Sequence, residues 1–300
     1  MIAALPGCAV TAAVRTVSAS PAAGGQRTVP VGAIDAGTDW TAALAGIDAV
    51  VHLAGIAHRS GRTPAGDVEA YGIVNTHGTI RLAEAAAGAG VRDFVFASSI
   101  AVHGAATDGR GPFRESDPLA PVAPYGASKA RAEDGLAAIA ARTGMAVTVI
   151  RPPLVHGRGA PGNLALLAAA LRRGAPLPLA SIRNRRAVLG VANLADFVSW
   201  RLASANAGFE AFILADARQP STPEFVRMLA AAMHRPARLM PFPAGLLRAG
   251  LAAAGRRAMA DGLLASLEVD TGKAGAAGWR PPLGLAEGLR AAGEDQSATA

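Results

Sequence analysis

Short apolar runs of strand length alternate with alanine-rich stretches of helix length through the first half of this chain. Few folds accept that pattern. The runs are Cys8–Val14, Asp48–Leu53, Asp93–Ala97 and Ala146–Ile150, each bounded by glycine or polar residues. Successive apolar positions with no polar alternation describe strands covered on both faces, as in a parallel sheet. The segments Asn75–Ala89 and Pro124–Thr143 between them read as helices, Leu82 and Ala86 sharing one face of the first. Strand and helix in turn predict an α/β fold with a doubly wound parallel sheet. After Arg151-Pro152-Pro153 the texture changes, and proline-rich loops separate helical stretches at Asn163–Arg173, Leu194–Ser204, Thr222–Met233 and Ala244–Ala254. The expected organisation is a sheet domain over residues 1–158 and a smaller, mainly helical lobe over residues 159–292. The lobe interleaves with the sheet domain and closes over a ligand, and residues 293–300 form a frayed polar tail.

Composition removes several classes. With 300 residues, 51% of them hydrophobic and 17% charged, the chain can bury a sizeable core and is not a disordered tail. One cysteine excludes a disulfide framework and a cysteine-rich zinc site, as in a reducing cytoplasm. No histidine pair has metal-ligand spacing with a third ligand, so no metal is expected. No run approaches the ~18 apolar residues of a membrane span, and Leu246 to Leu251 is already cut by Arg248. Leu5-Pro6-Gly7-Cys8 loosely matches a lipoprotein cleavage box, but no basic residue precedes it. Cys8 therefore reads as a small thiol buried in the first strand. The net charge of +7 is almost all arginine, since lysine occurs only at positions 129 and 273. The arginines are scattered, and 4% aromatic content gives no stacking platform for bases. Nucleic acid is excluded as a partner, and the charge reads as a general attraction for anionic small molecules.

The sharpest chemical signal is Tyr125-Gly-Ala-Ser-Lys129. Residues four apart share a helix face, so the phenol and the ammonium can line one pocket. A nearby cation favours phenolate and draws a tyrosine down from its ordinary ~10, which makes a general acid/base for a sugar or alcohol hydroxyl. Tyrosine and lysine each occur only twice in the chain, so this spacing is a poor candidate for coincidence. Upstream, Phe94-Val-Phe-Ala-Ser98-Ser99 runs an apolar strand into two hydroxyls. Ligands of open α/β sheets bind beyond the carboxyl ends of the strands, where a serine can hold a reacting oxygen.

Together these residues resemble the extended short-chain dehydrogenase/reductases, in the NAD(P)-dependent nucleotide-sugar epimerase/dehydratase family. Matching segments run almost end to end. They are Asp48-Ala-Val-Val-His-Leu-Ala-Gly55, Asn75-Thr-His-Gly-Thr79, Ala97 through Gly104, Tyr125–Lys129, Arg151-Pro-Pro-Leu-Val-His-Gly157, Asn163-Leu164, Arg186 through Asp196, and Asp270 through Trp279. The resemblance implies a Rossmann-like fold and a Ser99/Tyr125/Lys129 triad. Tyr125 would be the acid/base, and Lys129 its partner and a ribose ligand. It also implies that Ala54, Gly55, Asn75, Ser98, Lys129 and Pro152 border the cofactor, and that Asn163 and Arg186 contact the nucleotide sugar. A guanidinium suits a diphosphate. A homodimer through the helices near Asn75–Ala89 and Pro124–Thr143 is implied as well.

The departures from the family pattern carry their own expectations. Such chains open with a strand, a Gly-x-x-Gly-x-x-Gly loop and a helix that cradle a pyrophosphate. This chain does not open that way: Met1–Leu5 reads as the last turn of that helix. A truncated start is expected, with the first, central strand missing from the sheet and ladder edges left unpaired on the second and fourth strands. Ala33 stands where an aspartate is common, His103 and His156 where tyrosine is usual, and Gly190 where histidine is usual. Arg15, just past the first strand, suits the 2′-phosphate of NADP better than the bare ribose of NAD. The triad serves a 4-epimerase and a 4-keto reductase of UDP-sugars equally. 4,6-Dehydration is disfavoured because Ser98-Ser99-Ile100 replaces the Thr-Asp-Glu cluster it needs. A non-catalytic remnant with poor cofactor binding is the remaining alternative.

Overall fold

The apolar runs pair as parallel strands in two ladders. The computed structural model describes residues 7–16, 27–56 and 65–297, with side chains described from 67 to 291 in the last span. Strand β1 (Thr11–Val14) pairs with β2 (Arg27–Pro30), Thr11 opposite Arg27. Strands β3 (Ala49–His52), β4 (Asp93–Ala97) and β5 (Ala146–Arg151) form a second parallel sheet, completed by β8 (Phe209–Ile213) in the order β3-β4-β5-β8. Every residue of β5 is buried, as its unbroken apolar run requires. Among the described residues β1 bonds only to β2 and β3 only to β4. Among the described residues no ladder joins the two sheets. Val29 and Val31 nevertheless share one core cluster with Val50, Phe94 and Phe96, so side chains join the two ladders.

Helices cover both faces of the larger sheet. On one lie α1 (Thr41–Leu44), α2 (Ala65–Tyr71), α3 (Thr79–Gly88) and α4 (Pro124–Thr143). Alanines explain how closely they pack: Ala83, Ala86 and Ala132 are fully buried against Phe94, Phe96 and Leu136. A Cβ on Gly135 of α4 would lie 2.6 Å from Ile80 Cδ1 of α3. Helix α4 has the bounds expected from sequence, with Pro124 in its first turn and Gly144 closing it at φ 76°. On the opposite face α6 (Val191–Ala203) packs Leu194, Phe197 and Val198 on Val95, Ile150 and Phe212. Helix α6 and strand β8 belong to the sheet although they follow the proline-rich break.

The remaining elements build the lobe. Strand β6 (Leu154–His156) pairs with β7 (Val188–Gly190), and α5 (Asn163–Arg172), α7 (Thr222–Ala232), α9 (Arg257–Leu264) and α11 (Leu285–Ser297) enclose Leu171, Val226, Leu264 and Leu289. Helix α7 opens with a reciprocal Ser221/Glu224 capping box. Helix α8 (Ala244–Ala253) lies at the periphery of the lobe, whereas α10 (Gly272–Ala276) packs Ala274 with Phe212 on the larger sheet. No helix is long and apolar enough to cross a membrane, among the described residues.

Three expectations are corrected. The first strand begins at Thr11 rather than Cys8, and Cys8 is exposed because the ladder has not yet started there. The helix expected from Asn75 runs on from α2 through a π-helical stretch, Gly72–Gly78. Gly72, Ile73 and Val74 are weak helix formers, and bonds from Asn75 and Thr76 to the rest of the fold hold the stretch wound. The tail expected to fray from Gly293 continues α11 to Ser297, because Leu285 and Leu289 anchor that helix in the lobe core. Ala298–Ala300 and the expected helix turn at Met1–Leu5 lie outside the described residues.

Leu136 is fully buried between α3, α4 and the sheet. Leu136→Ala is expected to cost about 3 kcal/mol, measured as a lower urea midpoint at unchanged denaturant slope.

Candidate active site

The carboxyl end of β4 and the first turns of α4 meet directly. After Ala97 the chain leaves the sheet through Ser98 and Ser99, and Ser99 caps a single 3₁₀ turn, Ile100–Val102, its Oγ accepting from Ala101 N at 3.2 Å. The start of α4 sits on that turn backbone to backbone: a Cβ on Gly126 would lie 2.5 Å from Ala101 O. Only glycine permits this approach, and it brings the half-buried Tyr125 phenol into hydrogen bonding with the part-exposed Ser99. The second tyrosine, Tyr71 of α2, is buried edge-on to the Tyr125 ring at 5.9 Å.

Lys129 follows one turn along α4, buried. Its Nζ donates to Ala97 O at 2.8 Å and lies 4.5 Å from the centre of the Phe96 ring. Burial draws its ammonium down to about 8, and the Glu133 carboxylate works the other way. The expected effect on Tyr125 is corrected by this arrangement. Its phenol is raised above its ordinary range by burial, opposed by the Ser99 hydrogen bond, while the ammonium is aimed at a backbone carbonyl.

The other residues expected near a cofactor divide into groups. Asn75, fully buried on the π-helical stretch, clasps the end of β3: its Oδ1 accepts from Ile56 N at 2.8 Å and its Nδ2 donates to Ile56 O. The same Nδ2 reaches Ser128 Oγ at 3.2 Å, and Thr76 Oγ1 donates to Ser128 O, so the stretch is tied to α4. Gly55 and Ala54 are exposed beside that clasp. A Cβ on Gly55 would come within 2.9 Å of Asn75 Oδ1 and 3.4 Å of Lys129 Nζ. Pro152 is buried, its carbonyl accepting from Ile100 N at 2.9 Å. Ser98 is turned inward, its hydroxyl donating to Glu133 Oε1 at 2.5 Å. Arg15 is exposed just beyond β1, on the other ladder.

Asn163 and Arg186 are brought together elsewhere, on α9. Arg186 Nη1 donates to Ala265 O at 3.0 Å and Asp261 O at 3.4 Å, and burial lowers it to about 10 against the nearby Asp108 charge, so it stays a cation at neutral pH. A Cβ on Gly262 would fall 2.7 Å from Asn163 Nδ2, and Asn163 Oδ1 is buried without a partner. The segment after α9 connects this group to the loop that follows the 3₁₀ turn: Thr107 N donates to Ser266 O, and Leu267 pairs with Arg186.

Sequence reasoning passed over several groups here. Glu133, one turn beyond Lys129 on the same face, is buried and pairs with Arg151 of β5. A charged residue in register with Tyr125 and Lys129 was the available signal. Gly157-Arg-Gly-Ala-Pro-Gly162 links β6 to α5, a glycine-rich strand-to-helix turn. The Gly-x-x-Gly-x-x-Gly spacing itself does occur, at Gly272, Gly275 and Gly278, but across the short α10 and the turn after it rather than between a strand and a helix. His103 and His156 are both buried. His103 Nε2 lies 3.0 Å from Arg151 Nη1, and His156 Nε2 lies 2.7 Å from Asp216 Oδ2. The His156 ring lies against Gly190, where a Cβ would stand 3.3 Å away. No cluster of metal-ligating side chains occurs among the described residues.

A serine, a tyrosine and a lysine thus gather where β4 meets α4, on a parallel sheet. The chain belongs to the NAD dependent epimerase/dehydratase family, whose model matches residues 5–215. It is 37% identical over 262 residues to a UDP-glucose 4-epimerase of Vibrio cholerae, covering 87% of this chain and 80% of that protein. Among solved structures it resembles "MoeE5 in complex with UDP-glucuronic acid and NAD", with a TM-score of 0.76 and 25% identity, across 97% of this chain and 91% of that one. It also resembles the Thermus thermophilus UDP-glucose 4-epimerase in complex with NAD, with a TM-score of 0.66 and 25% identity, across 85% and 79%.

The buried histidines make acid stability measurable. Burial and the Lys129 charge depress His52 from 6.5 to about 3. The unfolded chain therefore takes up a proton that the folded one refuses, and stability falls as pH drops from 6.5 towards 3. Urea titrations at pH 7 and pH 5 are expected to differ by about 2 kcal/mol from this residue. His52→Gln should remove that part of the loss.

Proposed function

We propose that this enzyme of the nucleotide-sugar epimerase/dehydratase family acts at C4 of a UDP-sugar, as a cytoplasmic 4-epimerase for surface-polysaccharide sugars. One observation carries the reading: the Tyr125 phenol is hydrogen-bonded to Ser99 with Lys129 one turn away, at the carboxyl end of β4. As the phenolate, which a cation bound beside it would favour against the effect of burial, Tyr125 Oη takes the proton from the sugar 4-hydroxyl and returns it after the face of the sugar is exchanged. Ser99, part-exposed beside it, shares a hydrogen bond with the reacting oxygen and fixes its distance from the phenol. NAD(P), when bound, supplies the site that accepts and returns the C4 hydride.

The residues present fit the nicotinamide-ribose end of such a cofactor. Gly55 leaves open the space between the β3 end and Lys129 that a Cβ would fill, and Asn75 holds that edge rigid. Asn163 Oδ1, buried and unpartnered, calls for a donor such as a nucleobase N–H or a sugar hydroxyl. Arg186 remains charged and suits the diphosphate. The proposed assembly is a homodimer through α3 and α4.

Arg15 favours a second reading. Its position after β1 suits a 2′-phosphate, and NADPH is consumed once per turnover by a UDP-4-keto-6-deoxyhexosamine 4-reductase. Direct binding of NAD and NADP to the chain, with Arg15→Glu as control, discriminates the two. NADP should bind more tightly to the parent, and the preference should fall in the variant. Failure of both to bind would leave the non-catalytic alternative.

Tyr125→Phe is expected to lower turnover of UDP-glucose by about 10²- to 10⁴-fold while leaving UDP-sugar affinity by calorimetry within a few-fold. Unchanged turnover would remove Tyr125 from the chemistry.

A further inference from the structure

Helix α4 presents Tyr125, Lys129 and Glu133 on successive turns of one face. The mechanism above uses the first two and leaves the third idle, yet Glu133 is only 2% exposed. Both its oxygens are occupied. Ser98 Oγ donates to Oε1 at 2.5 Å, and Arg151 donates through Nη2 to Oε2 at 2.6 Å and through Nε to both oxygens. Arg151 turns its remaining nitrogen outward from the pair, to His103 Nε2 at 3.0 Å and Glu115 O at 3.4 Å. Burying an ion pair carries a large desolvation cost, and an apolar pair of similar volume often serves stability as well. Packing alone therefore gives no reason for charges here.

Lys129 gives one. Its buried ammonium touches a carbonyl and an aromatic ring, neither with a formal negative charge. The titratable groups near it include His52 from β3, which feels its charge, and Tyr125 on its own helix with Tyr71 of α2 behind. None of these is an anion at neutral pH. On the other packed elements, His77 of the π-helical stretch is exposed, Glu84 of α3 pairs with Arg142 near the far end of α4, and Glu210 of β8 pairs with Arg201. The carboxylate on the face of Lys129 is Glu133.

We propose that Glu133 is a positioning residue of this site, its carboxylate clamped by Arg151 and Ser98 so as to hold Lys129 as the ammonium one helical turn away. The inference deepens the triad reading and rests on it. Burial already brings Lys129 down to about 8, with Glu133 the charge that opposes the fall. Without that carboxylate the ammonium would lose the charge that favours it, and its titration would move further down. The clamp has a second effect, because Ser98 is bonded to Glu133 and Ser99 follows it into the 3₁₀ turn.

The chain has two lysines, so a lysine-labelled sample gives two side-chain NMR signals, which Lys273→Arg assigns. In the full chain the Lys129 signal is expected to titrate near 8. In Glu133→Gln its midpoint should fall by about one unit or more while that of Lys273 stays put, and Glu133→Asp should recover most of the change. A Lys129 midpoint in Glu133→Gln equal to the parent's would overturn the proposal. Should that variant not fold, Glu133→Gln combined with Arg151→Met is compared with Arg151→Met alone, and equal Lys129 midpoints in those two chains are equally fatal. The readout needs no turnover. A shifted midpoint in a chain that fails to epimerise UDP-glucose supports the role of Glu133 while sinking the proposed reaction.

Discussion

The seating of α4 on β4 and β5 is the constraint on which the rest of the site depends. At its start, Gly126 lets the helix backbone touch the turn after Ser99. In its middle, Glu133 is bonded to β5 through Arg151 and to the end of β4 through Ser98. Farther along, Leu136 and Ile139 fill the core above Phe94 and Val147. Contacts of different kinds thus fix one rigid body at several heights. A tyrosine on a surface loop would lose far more entropy on meeting a substrate than one carried here.

Much of this was legible because the relevant signals are local. Pro124 and Gly144 punctuate α4 as turn chemistry dictates, and its bounds follow from sequence. The apolar runs at Asp93–Ala97 and Ala146–Ile150 became strands because no alternation of polar residues competed with a doubly buried reading. The rarity of tyrosine and lysine made Tyr125 and Lys129 stand out. Sequence reasoning also gathered Ser99, Gly55, Asn75 and Pro152, which the fold does bring to one place.

What escaped was set by partners distant in the chain. The π-helical stretch exists through bonds from Asn75 and Thr76 to residues more than a dozen positions away, against the local preferences of Ile73 and Val74. Strands β6 and β7 are short and have meaning only as a pair. The inward turn of Ser98 depends on an acid far along the chain, so its side chain could not be told from that of Ser99 by position. The direction of the Tyr125 shift is hidden for a related reason: spacing on a helix says that two groups are neighbours, not which acceptor the longer one chooses. Gly190 and His156, noted separately as departures, prove to be one accommodation, since the imidazole lies against the bare glycine backbone while bonded to Asp216.

The packing between the two ladders has a consequence for Arg15. Strands β1 and β2 bond to each other and meet the larger sheet through side chains such as Val29 and Val31, with no ladder crossing between them among the described residues. The described contacts between the two ladders are therefore apolar side-chain packing, set by shape rather than by ladder hydrogen bonds. Arg15, exposed at the end of β1, is placed relative to the Tyr125 site through that packing.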